Sequence, residues 1–275
     1  MKFRNKMAFL GMAVLTVMTV MTAGISSSQA AVVAQPSDGD LFLGFRATSG
    51  SGSSYSYVVN LGQYSAFSGQ APGSTVSLSG IGDIGADLVA IFGAGWNTSG
   101  DVKWGLFGRD DTGTVALYAS KEQEVVGVTG DAYATRTLSQ RQSTSSRVGT
   151  VIYGINGFNG SQSTLNSTVA VRQENVVSGT PNQASYNYQV TNGVTDFGTV
   201  SGWTDIEGDF GNGVSGTALD LFRISSAGVT SPGFFSIGSG GSLSFTSVPE
   251  PSAALVGAAG ALVLLTRRRR LSASA

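Results

Sequence analysis

Short apolar runs separated by glycine- and serine-rich turns set the strongest limit on how this chain can fold. Glycine accounts for 39 of the 275 residues, and the runs between the turns have the length of strands. In the run Asp40–Arg46, the side chains of Leu41, Leu43 and Phe45 fall on one face, which is the period-two pattern of a β-strand. Tyr55–Leu61 repeats this alternation after a Ser/Gly-rich loop. The two runs therefore predict an antiparallel hairpin.

Further runs of the same kind follow along the chain. We predict short strands at Val76–Leu78, Val102–Phe107, Thr114–Ser120, Leu219–Ser225, Gly233–Ile237 and Ser242–Ser247. The charged turn Gly108–Gly113 lies between two of them and is typical of a hairpin, and Gly238–Gly241 joins the last two. The expected fold is mainly β, an antiparallel sandwich-like or barrel-like domain with one or more short helices.

One short helix is predicted between Asp83 and Phe92, where apolar residues recur at helical spacing. Asp83 can cap its first turn and Gly93 can end it. Asp87 is expected on the side of this helix that lies opposite the apolar residues. The region Thr137–Ile155 is open to two interpretations, a helix with a loose apolar face or a strand within its last eight residues.

Cysteine and histidine are both absent from the chain. Without cysteine there is no disulfide framework, so stability must come from core burial and backbone pairing. The same absence excludes thiolate nucleophiles, Ser-His-Asp and Cys-His triads, and the usual zinc sites.

The N-terminus has the pattern of a secretory signal peptide. Lys2, Arg4 and Lys6 form a positive region, and the apolar stretch Met7–Ala23 follows. Small residues precede a cleavage position after Ala30. We therefore expect a signal helix that is removed during export.

The C-terminus has three parts in a fixed order. They are the motif Pro249, Glu250 and Pro251, the apolar run Ser252–Thr266, and the cluster Arg267, Arg268, Arg269 and Arg270. As a helix, the apolar run covers roughly 22 Å, whereas a bilayer core is about 30 Å thick, so it is marginal as a permanent anchor. Basic residues beside an apolar span stay on the cytoplasmic side. Everything before Val248 would then lie outside the cytoplasm.

This tripartite tail resembles the PEP-CTERM sorting signal of Gram-negative bacteria. The resemblance implies recognition by an exosortase, a cysteine protease-like membrane enzyme, with cleavage near the Pro-Glu-Pro motif. It also implies delivery to the cell surface or to an exopolysaccharide matrix. The alternative is an ordinary C-terminal membrane anchor with a chance Pro-Glu-Pro.

The body carries a second resemblance, to a set of PEP-CTERM proteins of surface-living bacteria. The matching segments are Asp40–Arg46, Tyr57–Gly62, Ile84–Leu88, Trp96–Asn97, Val102–Phe107 and Leu117–Ser120. The similarity implies a shared β-rich secreted body, and it brings no established activity with it.

The chain thus divides into a signal peptide (1–30), a secreted β-rich domain (31–248) and a sorting signal with a C-terminal apolar helix (249–275). The middle part has nine Lys and Arg against sixteen Asp and Glu, a net charge of −7. Nucleic-acid binding needs a basic surface, so an acidic body argues against it. The charge is compatible with a secreted protein that binds cations.

The densest acidic segment contains Asp205, Glu207 and Asp209. Alternate carboxylates on a loop can coordinate calcium through oxygen. The segment is not an EF-hand, because Phe210 and Gly216 occupy the positions that require Gly and Glu. The open alternatives are a looser calcium loop and a solvated turn.

Two further kinds of site remain open. Paired carboxylates can hydrolyse glycosides, and the candidate pairs are Asp110 with Asp111 and Glu207 with Asp209. Aromatic rings can bind sugars by stacking, although such rings are more often core in a β fold. The candidate rings are Tyr55, Tyr57, Trp96, Trp104, Tyr186, Tyr188 and Trp203.

We therefore expect an exported, non-enzymatic surface or extracellular-matrix protein with no cofactor. Its partners would be the secretion translocon, signal peptidase, an exosortase and exopolysaccharide, with no nucleic acid. The C-terminal helix would hold it transiently in the inner membrane, with the body in the periplasm, before it reaches the surface. The alternatives are a carbohydrate- or calcium-binding module and a carboxylate-dependent secreted hydrolase.

Overall fold

The structure is a computed structural model, and it describes residues 35–158, 166–167, 169–191 and 203–248. The signal peptide with its cleavage position at Ala30 lies outside these residues. So do the predicted sorting signal (249–275), with Pro249–Pro251 and Arg267–Arg270, and both predicted flanking helices. The predictions for the two ends therefore stay predictions, and the fold concerns the part of the chain between them.

Twelve strands lie within the described residues. They are β1 (Asp40–Ala47), β2 (Tyr55–Gln63), β3 (Thr75–Ser77), β4 (Val102–Asp110), β5 (Ala116–Glu122), β6 (Ala170–Glu174), β7 (Val176–Val177), β8 (Thr180–Pro181), β9 (Glu207–Asp209), β10 (Ala218–Ser225), β11 (Gly228–Ile237) and β12 (Leu243–Ser247). Each strand run predicted from the sequence falls on one of them. The predicted hairpins β1–β2, β4–β5 and β11–β12 are confirmed, since each pair is antiparallel and hydrogen-bonded.

Ten of these strands form one antiparallel sheet that curves as a half-barrel. Its order is β3-β12-β11-β10-β5-β4-β1-β2-β6, and β9 pairs with the first part of β4. The mainly β, antiparallel prediction is confirmed. The sandwich form of it is not found in the described part of the chain, because helices, and not a second large sheet, cover both faces.

Side chains alternate between the two faces of the sheet, as the pleat of a strand requires. On the first face, Leu43 and Phe45 pack with the helix α2 (Ile84–Phe92) and the short α1 (Ser65–Ser68). The predicted start of α2 is confirmed, because Asp83 Oδ1 accepts from the Ala86 N–H at 2.9 Å.

The second face is covered by α3 (Leu138–Phe158) and α4 (Tyr186–Thr191). Val148 and Ile155 of α3 are buried against sheet residues such as Phe107. The helical interpretation of Thr137–Ile155 is confirmed, and the strand interpretation is wrong. The apolar pattern is loose because the first half of α3 buries polar residues, Arg141, Thr144 and Ser145, on the face that its second half fills with apolar ones.

Asp87 is a correction to the predicted α2. Its side chain is buried rather than exposed, at 3 % of its accessible surface. Its carboxylate accepts hydrogen bonds from Tyr57 Oη at 2.8 Å and from Asn166 Nδ2 at 3.1 Å. A buried carboxylate is tolerated when such donors satisfy it. The polar residue of α2 therefore ties the helix to β2.

Candidate functional site

The acidic segment begins at a turn of 3-10 helix and continues into β9, which pairs with the start of β4. In this register Glu207 lies opposite Gly105, and Asp209 lies opposite Lys103. Lys103 lies opposite Arg46 of β1 in turn. The strand register thus brings two acidic and two basic residues to one part of the second face.

Arg46 and Glu207 form a buried ion pair. Arg46 Nη2 donates to Glu207 Oε2 at 2.6 Å, and Nε donates to Oε1 at 2.9 Å. The two side chains are only 8 % and 4 % exposed. Burial alone would lower the pKa of Arg46, but the hydrogen bond and charge of Glu207 outweigh it, so the pKa is raised. The Arg46 guanidinium is therefore charged, and the two hydrogen bonds to Glu207 hold it in place.

Tyr186 of α4 completes this group, which we call the Arg46 cluster (Arg46, Tyr186 and Glu207). Its hydroxyl donates to Glu207 Oε1 at 3.0 Å. Its ring lies over Gly44 and Gly105, where a Cβ would come within 2.7 Å of the ring or the hydroxyl. Burial and the neighbouring Glu207 charge raise the pKa of Tyr186 well above its ordinary value. The phenol therefore stays protonated and acts as a donor.

The other two acids of the segment make no contact within the Arg46 cluster. Asp209 forms an ion pair with Lys103 and accepts from the Gly211 N–H at 2.8 Å, while Asp205 is exposed. Across the described residues, no group of three or more acidic side chains is placed to hold a metal ion. Calcium binding by Asp205, Glu207 and Asp209 stays a prediction, and it would require Glu207 to leave Arg46.

The carboxylates of Asp110 and Asp111 are bound to different neighbours. Asp110 Oδ1 accepts from the Thr112 N–H at 2.9 Å, within its own turn. Asp111 accepts from Ser145 Oγ of α3 at 2.6 Å and pairs with Arg109 Nη1 at 2.9 Å. Each carboxylate thus stabilises a local contact, one in the β4–β5 turn and one between that turn and α3.

Most of the candidate sugar-binding rings belong to the core. Tyr57, Trp96, Trp104 and Tyr186 are all 2 % exposed or less. Trp104 also uses its indole N–H, which donates to the Gly216 carbonyl at 2.7 Å. These four rings do not present a stacking surface. Tyr55 and Tyr188 are half-buried, and the side chain of Trp203 lies outside the described residues.

Sequence reasoning missed Arg46 and the contact that Tyr186 makes. The sequence does carry a signal for the Tyr186 contact, because Gly44 interrupts an apolar strand, and such a glycine often marks the close approach of another group. The sequence does not indicate which group approaches, since Tyr186 is more than 140 residues away.

The last described residues lead directly into the predicted sorting motif. The Ser247 N–H donates to the Ser74 carbonyl at 2.9 Å, and the Val248 N–H donates to the Pro232 carbonyl at 3.1 Å. Pro249 is the next residue in the chain. The motif therefore begins immediately after a residue that the sheet holds by hydrogen bonding.

None of the helices in the described ranges combines the length and the apolar character needed to cross a membrane. Comparison of the chain with protein-family models, with curated proteins and with solved structures found no significant match.

Proposed function

We propose that this chain is an exported, non-enzymatic protein of the cell surface or extracellular matrix, which an exosortase processes at its C-terminal tail. One observation carries the proposal: the ordered sequence of Pro249–Pro251, an apolar run and Arg267–Arg270. The basic N-terminus and its apolar stretch support export through the translocon, followed by signal peptidase cleavage after Ala30.

The chemistry of the body supports a structural or interaction role. The carboxylates of Glu207, Asp209 and Asp111 are engaged in ion pairs with basic side chains. A glycosidase needs two carboxyl groups that face the same bond of the sugar, whereas these carboxylates are each bound to a separate basic partner of the fold, Arg46, Lys103 and Arg109. The acidic body would then act as a folded unit associated with exported polysaccharide.

Replacement of the sorting motif tests the proposal in native cells. With Pro249, Glu250 and Pro251 all changed to alanine, the full-length chain should accumulate in the inner membrane and disappear from the surface and the medium. Fractionation and immunoblotting measure this distribution. Pro181→Ala, at an exposed hairpin position, is the matched control and should be distributed as the wild type.

The opposite result is equally clear. If the triple variant reaches the surface in the same amount and with the same length as the wild type, the motif does not direct sorting. The signal for surface delivery would then lie in another part of the chain.

A calcium-binding module is the second candidate, and titration calorimetry with CaCl₂ separates it from the first. Heat of binding together with a higher melting temperature, both abolished by Asp209→Asn, would favour the calcium module. Asp131→Asn, at an exposed position, is the control for a change in net charge alone.

A further inference from the structure

The C-terminal strand of the body is bonded along its whole length. β12 lies between β11 and β3, with Phe245 opposite Phe235 on one side and opposite Val76 on the other. Phe245 is fully buried. At the end of the strand, the Ser247 carbonyl accepts from the Gly73 N–H at 2.8 Å, and the Val248 N–H is bonded to the Pro232 carbonyl.

A protease that cuts a chain must first bind several residues of extended main chain around the bond that it breaks. Backbone groups that are already hydrogen-bonded in a sheet cannot pair with a protease cleft at the same time. Cleavage therefore concentrates where the backbone is neither buried nor hydrogen-bonded. Ser247 and Val248 do not meet that condition while the body is folded.

The position of the motif in the sequence limits where a protease can cut the tail. Pro249, Glu250 and Pro251 are the first three residues beyond the bonded strand. A protease that cuts the Val248–Pro249 or the Pro249–Glu250 peptide bond would have to bind Val248 and Ser247 just before the cut. The Pro251–Ser252 bond is the first that three residues of the sequence separate from Val248.

We infer that the folded body determines how close to the sheet a protease can cut the tail. This inference rests on the proposed sorting function. The cut falls at Pro251–Ser252 or further along the apolar run, and the mature protein keeps Pro249, Glu250 and Pro251 as a short C-terminal extension. A cut before Pro251 requires the end of β12 to open, because Val248 and then Ser247 must give up their hydrogen bonds to Pro232, Gly73 and Ser74.

The chemical step is a peptide hydrolysis. At the first permitted position, the C–N bond between Pro251 and Ser252 breaks. Water supplies the hydroxyl group that completes the Pro251 carboxyl group and the proton that completes the Ser252 amino group. A covalent acyl-enzyme on the protease cysteine changes the route and leaves this overall balance unchanged.

Mass spectrometry of the C-terminal peptide from native, surface-exposed protein tests the inference. We expect the last residue to be Pro251 or a residue beyond it. A mature chain that ends at Val248, Pro249 or Glu250 would overturn the inference, while it would leave the sorting function standing.

An insertion variant tests whether the sheet, and not the preference of the protease, imposes the limit. Gly-Ser-Gly-Ser placed between Val248 and Pro249 moves the motif away from the strand. New termini before Pro251, or pulse-chase processing at least about threefold faster, should result because no local opening is then needed. The same insertion after Gly50, in an exposed turn, is the control. An unchanged terminus and an unchanged rate would overturn the inference.

Failure of the two proposals gives different results. If the mature chain retains Arg267–Arg270 in the inner membrane, the sorting function fails, and this inference fails with it. If the chain is processed and released but ends before Pro251, only the inference about the body fails.

Discussion

At the scale of single residues, two glycines determine how the second face of the sheet is built. Gly44 and Gly105 lie opposite each other in the β1–β4 pairing. Because neither has a side chain, Tyr186 can lie against the strands and place its hydroxyl beside Glu207. A glycine in the middle of a strand costs stability by itself. Here the close contact of the aromatic ring offsets that cost.

Gly44→Ala should therefore destabilise the protein. The new Cβ would lie 2.7 Å from the ring of Tyr186, and forcing an extra methyl group into a packed core costs about 1–3 kcal/mol. Urea unfolding measures the change in the free energy of unfolding. Gly95→Ala is the control, since no neighbouring atom lies within 4 Å of its added Cβ. An equal effect of the two substitutions would mean that the Tyr186 contact is absent.

Loss of charge in the Arg46 cluster should destabilise the protein more than Gly44→Ala does. Glu207→Gln leaves the buried Arg46 guanidinium without its counter-ion, which typically costs about 3–5 kcal/mol. Asp209→Asn is the matched control, because its ion pair with Lys103 is only partly buried, with side chains 28 % and 22 % exposed, and pairs near the surface contribute about 0–1 kcal/mol. Thermal and urea unfolding of both variants give the comparison. Similar losses in the two variants would show that burial of the Arg46–Glu207 pair is not decisive.

At the scale of elements, local patterns predicted what depends on local sequence. The alternation in β1 and β2, the charged turn before β5 and the Asp83 cap of α2 are each encoded within a few residues, and all are confirmed. The Arg46–Glu207 pair joins residues 161 positions apart. It depends on the register of β9 against β4, which no local pattern specifies.

The same reasoning explains why the position of Asp87 was predicted wrongly. A polar residue on a short amphipathic helix is normally assigned to solvent. The partner that makes burial possible, Tyr57, lies on β2, and its hydroxyl reaches across the first face to the helix. Only the packing of α2 on the sheet reveals the contact.

Burial of Asp87 predicts a specific dependence of stability on pH. Burial raises the pKa of Asp87 above its ordinary value of 3.8, so the native state holds this proton to a higher pH than the unfolded chain does. The protonated carboxyl contributes stability that is fully present below about pH 4 and is lost as the pH rises through the raised native pKa. Asp87→Asn removes this titration. The variant should become progressively more stable relative to wild type as the pH increases.

Urea unfolding at several pH values between about 3.5 and 7 measures this difference, because other titrating groups contribute equally to both proteins. Asp131→Asn, at an exposed position, is the control. A difference between Asp87→Asn and wild type that stays constant over the range would contradict the prediction.

At the scale of the whole molecule, one sheet serves two cores. Alternate residues of the same strand, such as Phe42 and Leu43, point into the second and the first core respectively. The helices that cover the two faces are therefore joined through shared strands. With no cysteine in the chain, this shared burial and the backbone pairing of the sheet must hold the body together.

The shared strands predict that the two cores unfold as a single cooperative unit. Trp96 and Trp104 both lie in the first core, so in a Trp203→Phe background tryptophan fluorescence reports on that core. Circular dichroism at 222 nm reports mainly on α3, which covers the second core. The two signals should give the same urea midpoint. Ile155→Ala removes a buried side chain of α3. It should reduce the free energy of unfolding by about 2–5 kcal/mol and lower both urea midpoints together. If fluorescence stayed at the original midpoint while the helical signal moved, the two faces would be independent units, and the sheet would not couple them.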